Sequence, residues 1–123
     1  MNNLRFGNVQ LQIMQVLWDK NRANAREITD ALNKIKPIAH STVQTLLRKL
    51  EQKGAVDHDI EERTFIFYPL VKREKVTQFG LKDLMDKMFA GSPGVLVSHL
   101  IKNENFSTQE LNEIKKLLAD KGV

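Results

Sequence analysis

The stretch 40–54, His-Ser-Thr-Val-Gln-Thr-Leu-Leu-Arg-Lys-Leu-Glu-Gln-Lys-Gly, constrains this chain more than any other. Val43, Leu46, Leu47 and Leu50 recur at i, i+3, i+4 and i+7, the spacing of a helix with one buried face. The opposite face then carries Ser41, Thr42, Gln44, Thr45, Arg48 and Gln52, which offer hydrogen-bonding groups and no acid. Ser41 is expected to cap this helix, with Gln44 three residues later reaching back as a capping box. Gly54 is expected to end it, with Arg48, Lys49 and Lys53 nearby. Alone, this is the pattern of an ordinary amphipathic surface helix; what precedes and follows it decides whether its polar face has a partner.

Two further helices precede it. Residues 9–19 place Val9, Ile13, Met14, Val16, Leu17 and Trp18 so densely that this helix must be buried on more than one side, with Asn8 as its expected N-cap. A turn over 21–24 follows, and Asn24 with Glu27 forms a capping box that opens the second helix. Ile28, Ala31, Leu32 and Ile35 give that helix its expected buried stripe, and Pro37 stops it. Three helices with short links, the last basic and polar outward, are the parts of a helix-turn-helix unit.

Beyond Gly54 the period changes. Residues 55–60 and 64–70 are short runs rich in β-branched and aromatic side chains, separated by Glu61-Glu62-Arg63, and read as a hairpin. Pro69 puts the second strand at a sheet edge or near its own end. The hairpin is expected to pack on the helices through Val56, Phe65 and Phe67, because two strands alone are not stable. Arg63 at its tip suits a phosphate or a minor groove, or else simply pairs with Glu61 or Glu62. A hairpin directly after such a helix is the wing of a winged helix, which sets a first domain at 1–71.

Residues 72–123 read as a second, helical domain. A helix over 72–90 is broken by Gly91-Ser-Pro-Gly94, a shorter one runs through 95–101, and Ser107 with Glu110 opens a last one with Leu111, Ile114, Leu117 and Leu118 expected inward. So many apolar positions on so little chain favour self-association over folding back on the first domain. The expected dimerisation residues are Val76, Phe79, Leu84, Met85, Met88, Leu96, Leu100, Leu111, Ile114 and Leu118.

Charge separates the two halves. From Lys34 to Lys53 five Lys or Arg stand against the single acid Glu51, a surplus of four. That equals the net charge of +4 on all 123 residues, while 76–123 hold six bases and six acids. The excess therefore surrounds the helix of 40–54, which points to an anionic partner. A helix fits the major groove of double-stranded DNA, where amides, hydroxyls and guanidinium groups read base edges. Gln44 suits adenine, Arg48 suits guanine or phosphate, and Ser41, Thr42 and Thr45 suit phosphate or a thymine methyl. Lys49 and Lys53 supply salt-dependent attraction. Because Ser41 and Gln44 are also the expected capping pair, Thr45 and Arg48 rank above Ser41 as contacts.

Other chemistry finds little support. There is no cysteine, which removes disulfides and thiolate metal sites. His40, His58 and His99 fall in three different elements without a ligand partner at metal spacing, so neither metal nor cofactor is expected. No glycine-rich phosphate loop or nucleophile elbow occurs, and the chain is not expected to be an enzyme. Asn105-Phe106-Ser107 matches the glycosylation sequon, but without the apolar run of a signal peptide a soluble cytoplasmic protein, not inserted in a membrane, is expected.

The strings Ile13-Met-Gln-Val-Leu-Trp18, Glu27-Ile-Thr-Asp-Ala-Leu32, Ser41-Thr-Val-Gln-Thr-Leu-Leu-Arg-Lys-Leu-Glu-Gln-Lys-Gly54 and Tyr68-Pro-Leu-Val71 resemble the penicillinase-repressor family of BlaI, MecI and CopY type, across nearly the whole chain. The resemblance implies a mainly α fold with a small β-hairpin: a winged helix-turn-helix domain followed by a C-terminal helical dimerisation domain. It also implies a homodimeric transcriptional repressor on a two-fold DNA operator, with positions matching Ser41, Thr42, Gln44, Thr45 and Arg48 facing the DNA. The copper-responsive branch ends in a cysteine cluster that this chain lacks. The β-lactam-responsive branch is cut at an Asn-Phe bond under the control of a membrane-bound sensor protease, and the matching place here reads Ser98-His99-Leu100, so any cleavage specificity differs. The competing reading of the residues is a winged-helix module used for protein-protein contact.

Overall fold

The structure, a computed structural model, describes residues 4–122. In chain order it holds α1 (Asn8–Lys20), β1 (Ala23–Asn24), α2 (Ala25–Asn33), α3 (His40–Gln52), β2 (Val56–Glu61), β3 (Thr64–Pro69), α4 (Arg73–Met88), α5 (Pro93–Asn103) and α6 (Thr108–Asp120). Two compact units divide it at residues 1–82 and 83–123, so the boundary falls inside α4.

In the first unit, α1 contributes Ile13, Met14 and Leu17 to the core, α2 Ile28 and Leu32, and α3 Val43, Leu47 and Leu50; Ala55, Val56 and Phe67 close it from the strands. Leu46 of the expected apolar face is half-buried beside them. The N-cap of α1 is Gly7, one residue before the expected Asn8, because Gln10 Oε1 accepts from the Gly7 N–H at 3.0 Å. The Asn24–Glu27 capping box forms as expected, with each side chain accepting from the other's backbone N–H at 2.8 and 2.9 Å.

The stripe on α2 ends sooner than its periodicity suggests. Asn33 donates its amide to Thr29 O and Ile38 O and accepts from Ile38 N. The following link folds back there, and Ile35 is left 73% exposed instead of buried. Ala39, with extended backbone, is the N-cap of α3, and no side chain caps it. The expected Ser41–Gln44 box therefore does not form: Ser41 is already the second helical residue. At the other end Gly54 takes a φ of +83° while the Ala55 N–H reaches back to Leu50 O at 2.9 Å. That left-handed turn is where a glycine is needed.

The sheet has three strands in the order β1-β3-β2, one more than the hairpin expected. Ala23 and Asn24 lie antiparallel to Phe67 and Ile66, and β2 pairs with β3 from Val56↔Pro69 to Glu61↔Thr64. The second hairpin strand is thus central, and Pro69 is tolerated because it is the last residue of its strand. Val56 and Phe67 are buried, but Phe65 is 47% exposed, since it lies toward the free tip, stacked on His58 at 4.0 Å. α4 joins this unit at its start: Trp18 Nε1 donates to Val71 O at 2.9 Å, and Arg73 pairs with Asp19 at 2.6 Å while covering the Trp18 ring.

In the second unit Ser92 caps α5, accepting from Val95 N, with Pro93 at the first turn. The Ser107–Glu110 box opens α6, and the Ser107 backbone N–H, then its hydroxyl, hold the Glu110 carboxyl below the usual carboxylate range. Leu111, Ile114, Leu117 and Leu118 do not turn inward in the single chain: they are exposed, and neither α5 nor α6 buries a residue. Two short amphipathic helices cannot enclose this much apolar surface by themselves. No helix among the described residues is long and apolar enough to cross a membrane.

Candidate nucleic-acid interface

Burial of Val43, Leu47 and Leu50 turns the other side of α3 outward, so Ser41, Thr42, Gln44, Thr45, Arg48 and Lys49 are all exposed. Without a capping role, the Ser41 and Gln44 side chains make no hydrogen bond among the described residues. The hydroxyl of Thr45 is instead donated to Ser41 O at 3.0 Å, leaving its methyl and oxygen lone pairs for a ligand. Lys53 is withdrawn from this face: its amine donates to the Arg5 carbonyl and lies 4.7 Å above the Phe6 ring. Burial there holds its pKa below the ordinary lysine value.

Glu51, the only acid of the basic segment, borders the same cleft but is engaged by a partner. It meets His58 Nδ1 at 2.5 Å, and the His58 N–H donates to Asp57 Oδ1 at 2.8 Å. Spacing along the chain shows no such partner for His58; the fold brings the Glu51, Asp57 and His58 donor atoms within 4.8 Å of one another. At that distance Glu51 and His58 are in direct hydrogen-bond contact. The trio is a latch between α3 and β2.

The arginines divide by position. Arg22 reaches Asp59 at 2.9 Å and Glu61 at 2.8 Å, lies over the Tyr68 ring, and is held charged chiefly by the hydrogen bond to Asp59. It thereby answers two acids on the outer face of the wing. Arg26, Arg48 and Arg63 make no ion pair among the described residues, and all three line one cleft with His40, Gln44, Glu51 and Phe65. Arg63 and Glu62 form the two-residue wing tip, both with positive φ, 67° and 49°. This is the backbone of a tight primed hairpin turn, normally made by Asn-Gly.

Arg63 is thus placed beside Arg48 and Gln44 at one cleft. Arg26 and His40 were not among the expected contacts; the signal for Arg26 was its place two residues after the Asn24 N-cap, at the end of α2 that a helix-turn-helix turns toward its ligand.

The other expected residues lie elsewhere. Val76 is buried and Phe79 half-buried in the first unit, where Arg5 covers the Phe79 ring at 5.5 Å. Leu84, Met88, Leu100, Leu111, Ile114 and Leu118 are exposed, and Met85 and Leu96 half-buried. Ser98, His99 and Leu100 lie inside α5, and Asn105 and Phe106 in the non-helical link before α6.

Several proteins similar to this chain are named as repressors or regulatory proteins. The penicillinase repressor of Bacillus licheniformis is 25% identical over 116 residues, covering 94% of this chain and 91% of that protein. The methicillin resistance regulatory protein MecI of Staphylococcus aureus is 26% identical over 110 residues, 89% of each. The solution structure of the DNA binding domain of the repressor BlaI superposes with a TM-score of 0.52 at 30% identity, over 56% of this chain and 84% of that one. The family model described as penicillinase repressor matches residues 6–120, and the chain belongs to that family.

Proposed function

We propose that the chain is a transcriptional repressor that binds a two-fold DNA operator as a homodimer, laying α3 in the major groove and Arg63 against the adjacent backbone or minor groove. The observation that carries this reading is the set of three arginines, Arg26, Arg48 and Arg63, that make no ion pair among the described residues and line one cleft with α3, where the one acid, Glu51, is latched to His58. Arg26 and Arg63 flank the helix and suit phosphates, which fix register; Gln44 and Arg48, with Ser41 and Thr42, suit base edges. Lys49 adds unspecific attraction. Because the Thr45 hydroxyl is committed to the backbone, Gln44 moves ahead of Thr45 in this assignment.

Counterion release gives the test. Operator affinity should fall steeply with salt, and Arg26→Ala and Arg63→Ala should each flatten the log–log slope by about one unit while weakening all sequences alike. A titration insensitive to salt would favour the protein-protein module instead.

The exposed apolar positions of the second unit support dimerisation: Leu84, Met88, Leu100, Leu111, Ile114 and Leu118 are all open in the single chain, and clustered exposed apolar side chains suit a protein interface. Val76 is buried and Phe79 half-buried within the first unit of the single chain. A dimer places two recognition helices at one operator, and repression follows from occluding the promoter.

Relief by proteolysis fits one place better than another. A protease takes its substrate extended, and Ser98-His99-Leu100 lies inside α5, where the His99 carbonyl also accepts from the Asn103 amide at 2.9 Å. The Asn105–Phe106 bond lies in the link between α5 and α6, with Asn105 exposed. Cleavage there by a membrane-bound sensor protease would detach α6, and Leu111, Ile114 and Leu118 with it, from the dimer surface. Mass spectrometry of the fragments formed on co-expression with such a protease should find ends at Asn105 and Phe106; ends within α5 would refute this placement.

A further inference from the structure

We infer that His40 reads a base edge in the major groove as a hydrogen-bond acceptor, with its tautomer fixed from inside the protein by Thr29; the inference rests on the DNA-binding reading above. A threonine hydroxyl has one proton. That of Thr29 is donated to the Ala25 carbonyl at 2.8 Å, which leaves only lone pairs toward His40 Nδ1 at 3.0 Å. Two lone pairs repel, so Nδ1 carries the proton and donates it to Thr29. Thr29 is 3% exposed, so the core holds this choice and solvent does not.

In the neutral ring the other nitrogen, Nε2, is then a lone-pair acceptor. His40 is the first residue of α3 and lines the cleft with Arg26, Gln44 and Arg48. With Nδ1 turned to α2, Nε2 is the nitrogen left for the cleft. The N-terminal residues of a recognition helix are those that meet base edges.

An acceptor held this way discriminates in one direction. Adenine N6 and cytosine N4 present donors in the major groove, whereas guanine N7 and O6 and thymine O4 present acceptors that an imidazole lone pair repels. His40 therefore selects an amino-bearing base at one position of each half-site. Thr29, which never touches the DNA, is a positioning residue: without its hydroxyl the ring is free to protonate at Nε2, and the preference is lost.

The experiment measures binding of the full chain at about pH 8, where an ordinary imidazole is neutral, to its operator and to variants carrying each base at each position. Wild type should prefer A or C by roughly five- to tenfold at one position per half-site. His40→Ala and Thr29→Val should both flatten that position and leave the preferences at the others intact, and Thr29→Ser should restore it. Should Thr29→Val fail to fold, as judged by circular dichroism, His40→Ala and Thr29→Ser decide the matter. An unchanged base profile in His40→Ala, or an equal loss on every sequence, overturns the inference while leaving the DNA-binding reading in place. A wild-type chain without base preference at any position overturns that reading, and this inference with it.

Discussion

Alanine at both Gln44 and Arg48 is expected to remove most of the operator discrimination while the fold stays intact. Each side chain is exposed on the outer face of α3 and lines the same cleft, and neither reaches the core formed by Val43, Leu47 and Leu50. Loss of a base contact costs roughly 1–3 kcal/mol, so the pair together should weaken specific binding from about thirtyfold to more than ten-thousandfold. Binding to random DNA should fall much less, because Arg26, Arg63 and Lys49 remain. A gel-shift titration on specific and random duplexes, with a thermal melt of the same preparations, separates the two effects. Equal affinity of the double variant and wild type for the operator would show that α3 is not the reading helix. Thr45→Val makes a graded comparison: its hydroxyl proton already serves Ser41 O, so only the oxygen lone pairs are lost and affinity should fall less than in the double variant.

Glutamate at Leu111 and Leu118 should convert the proposed dimer into monomers and lower operator affinity by roughly a hundredfold or more, since the second half-site contact becomes a separate bimolecular event. Both leucines are exposed in the single chain, at 44% and 51%. The charges therefore cost the isolated fold little, but a carboxylate buried unpaired at an interface costs several kcal/mol. Sedimentation velocity should show the halved mass, and binding to an isolated half-site should be unchanged. A variant that still sediments as a dimer would place the interface elsewhere.

Local chemistry was legible wherever one stretch supplies all its own partners. The Asn24–Glu27 and Ser107–Glu110 boxes form as spaced, and the polar face of α3 could be read from four apolar positions and the scarcity of acids. The same capping logic misplaced Ser41, because α3 begins at His40, which is held to Thr29 across eleven residues, a pairing that spacing does not announce. β1 has no strand signature of its own: Ala23 and Asn24 extend because β3 offers an open edge. Ile35 continued a helical period that the Asn33 side chain cut short. The cleft was least legible of all. Arg26, His40, Arg48 and Arg63 come from three elements, and which arginines stay unpaired depends on where the acids of β2 fall.

The wing tip has a consequence for how this chain can change. Glu62 and Arg63 both sit where a side chain is uncomfortable, at φ of 49° and 67°, each at a cost of about 1 kcal/mol relative to glycine. Selection for heat resistance alone would push these two codons toward Asn-Gly and erase the guanidinium as it did so. Asn-Gly at these two positions is therefore expected to stabilise the hairpin and, by removing the guanidinium, to weaken the DNA contact proposed for Arg63.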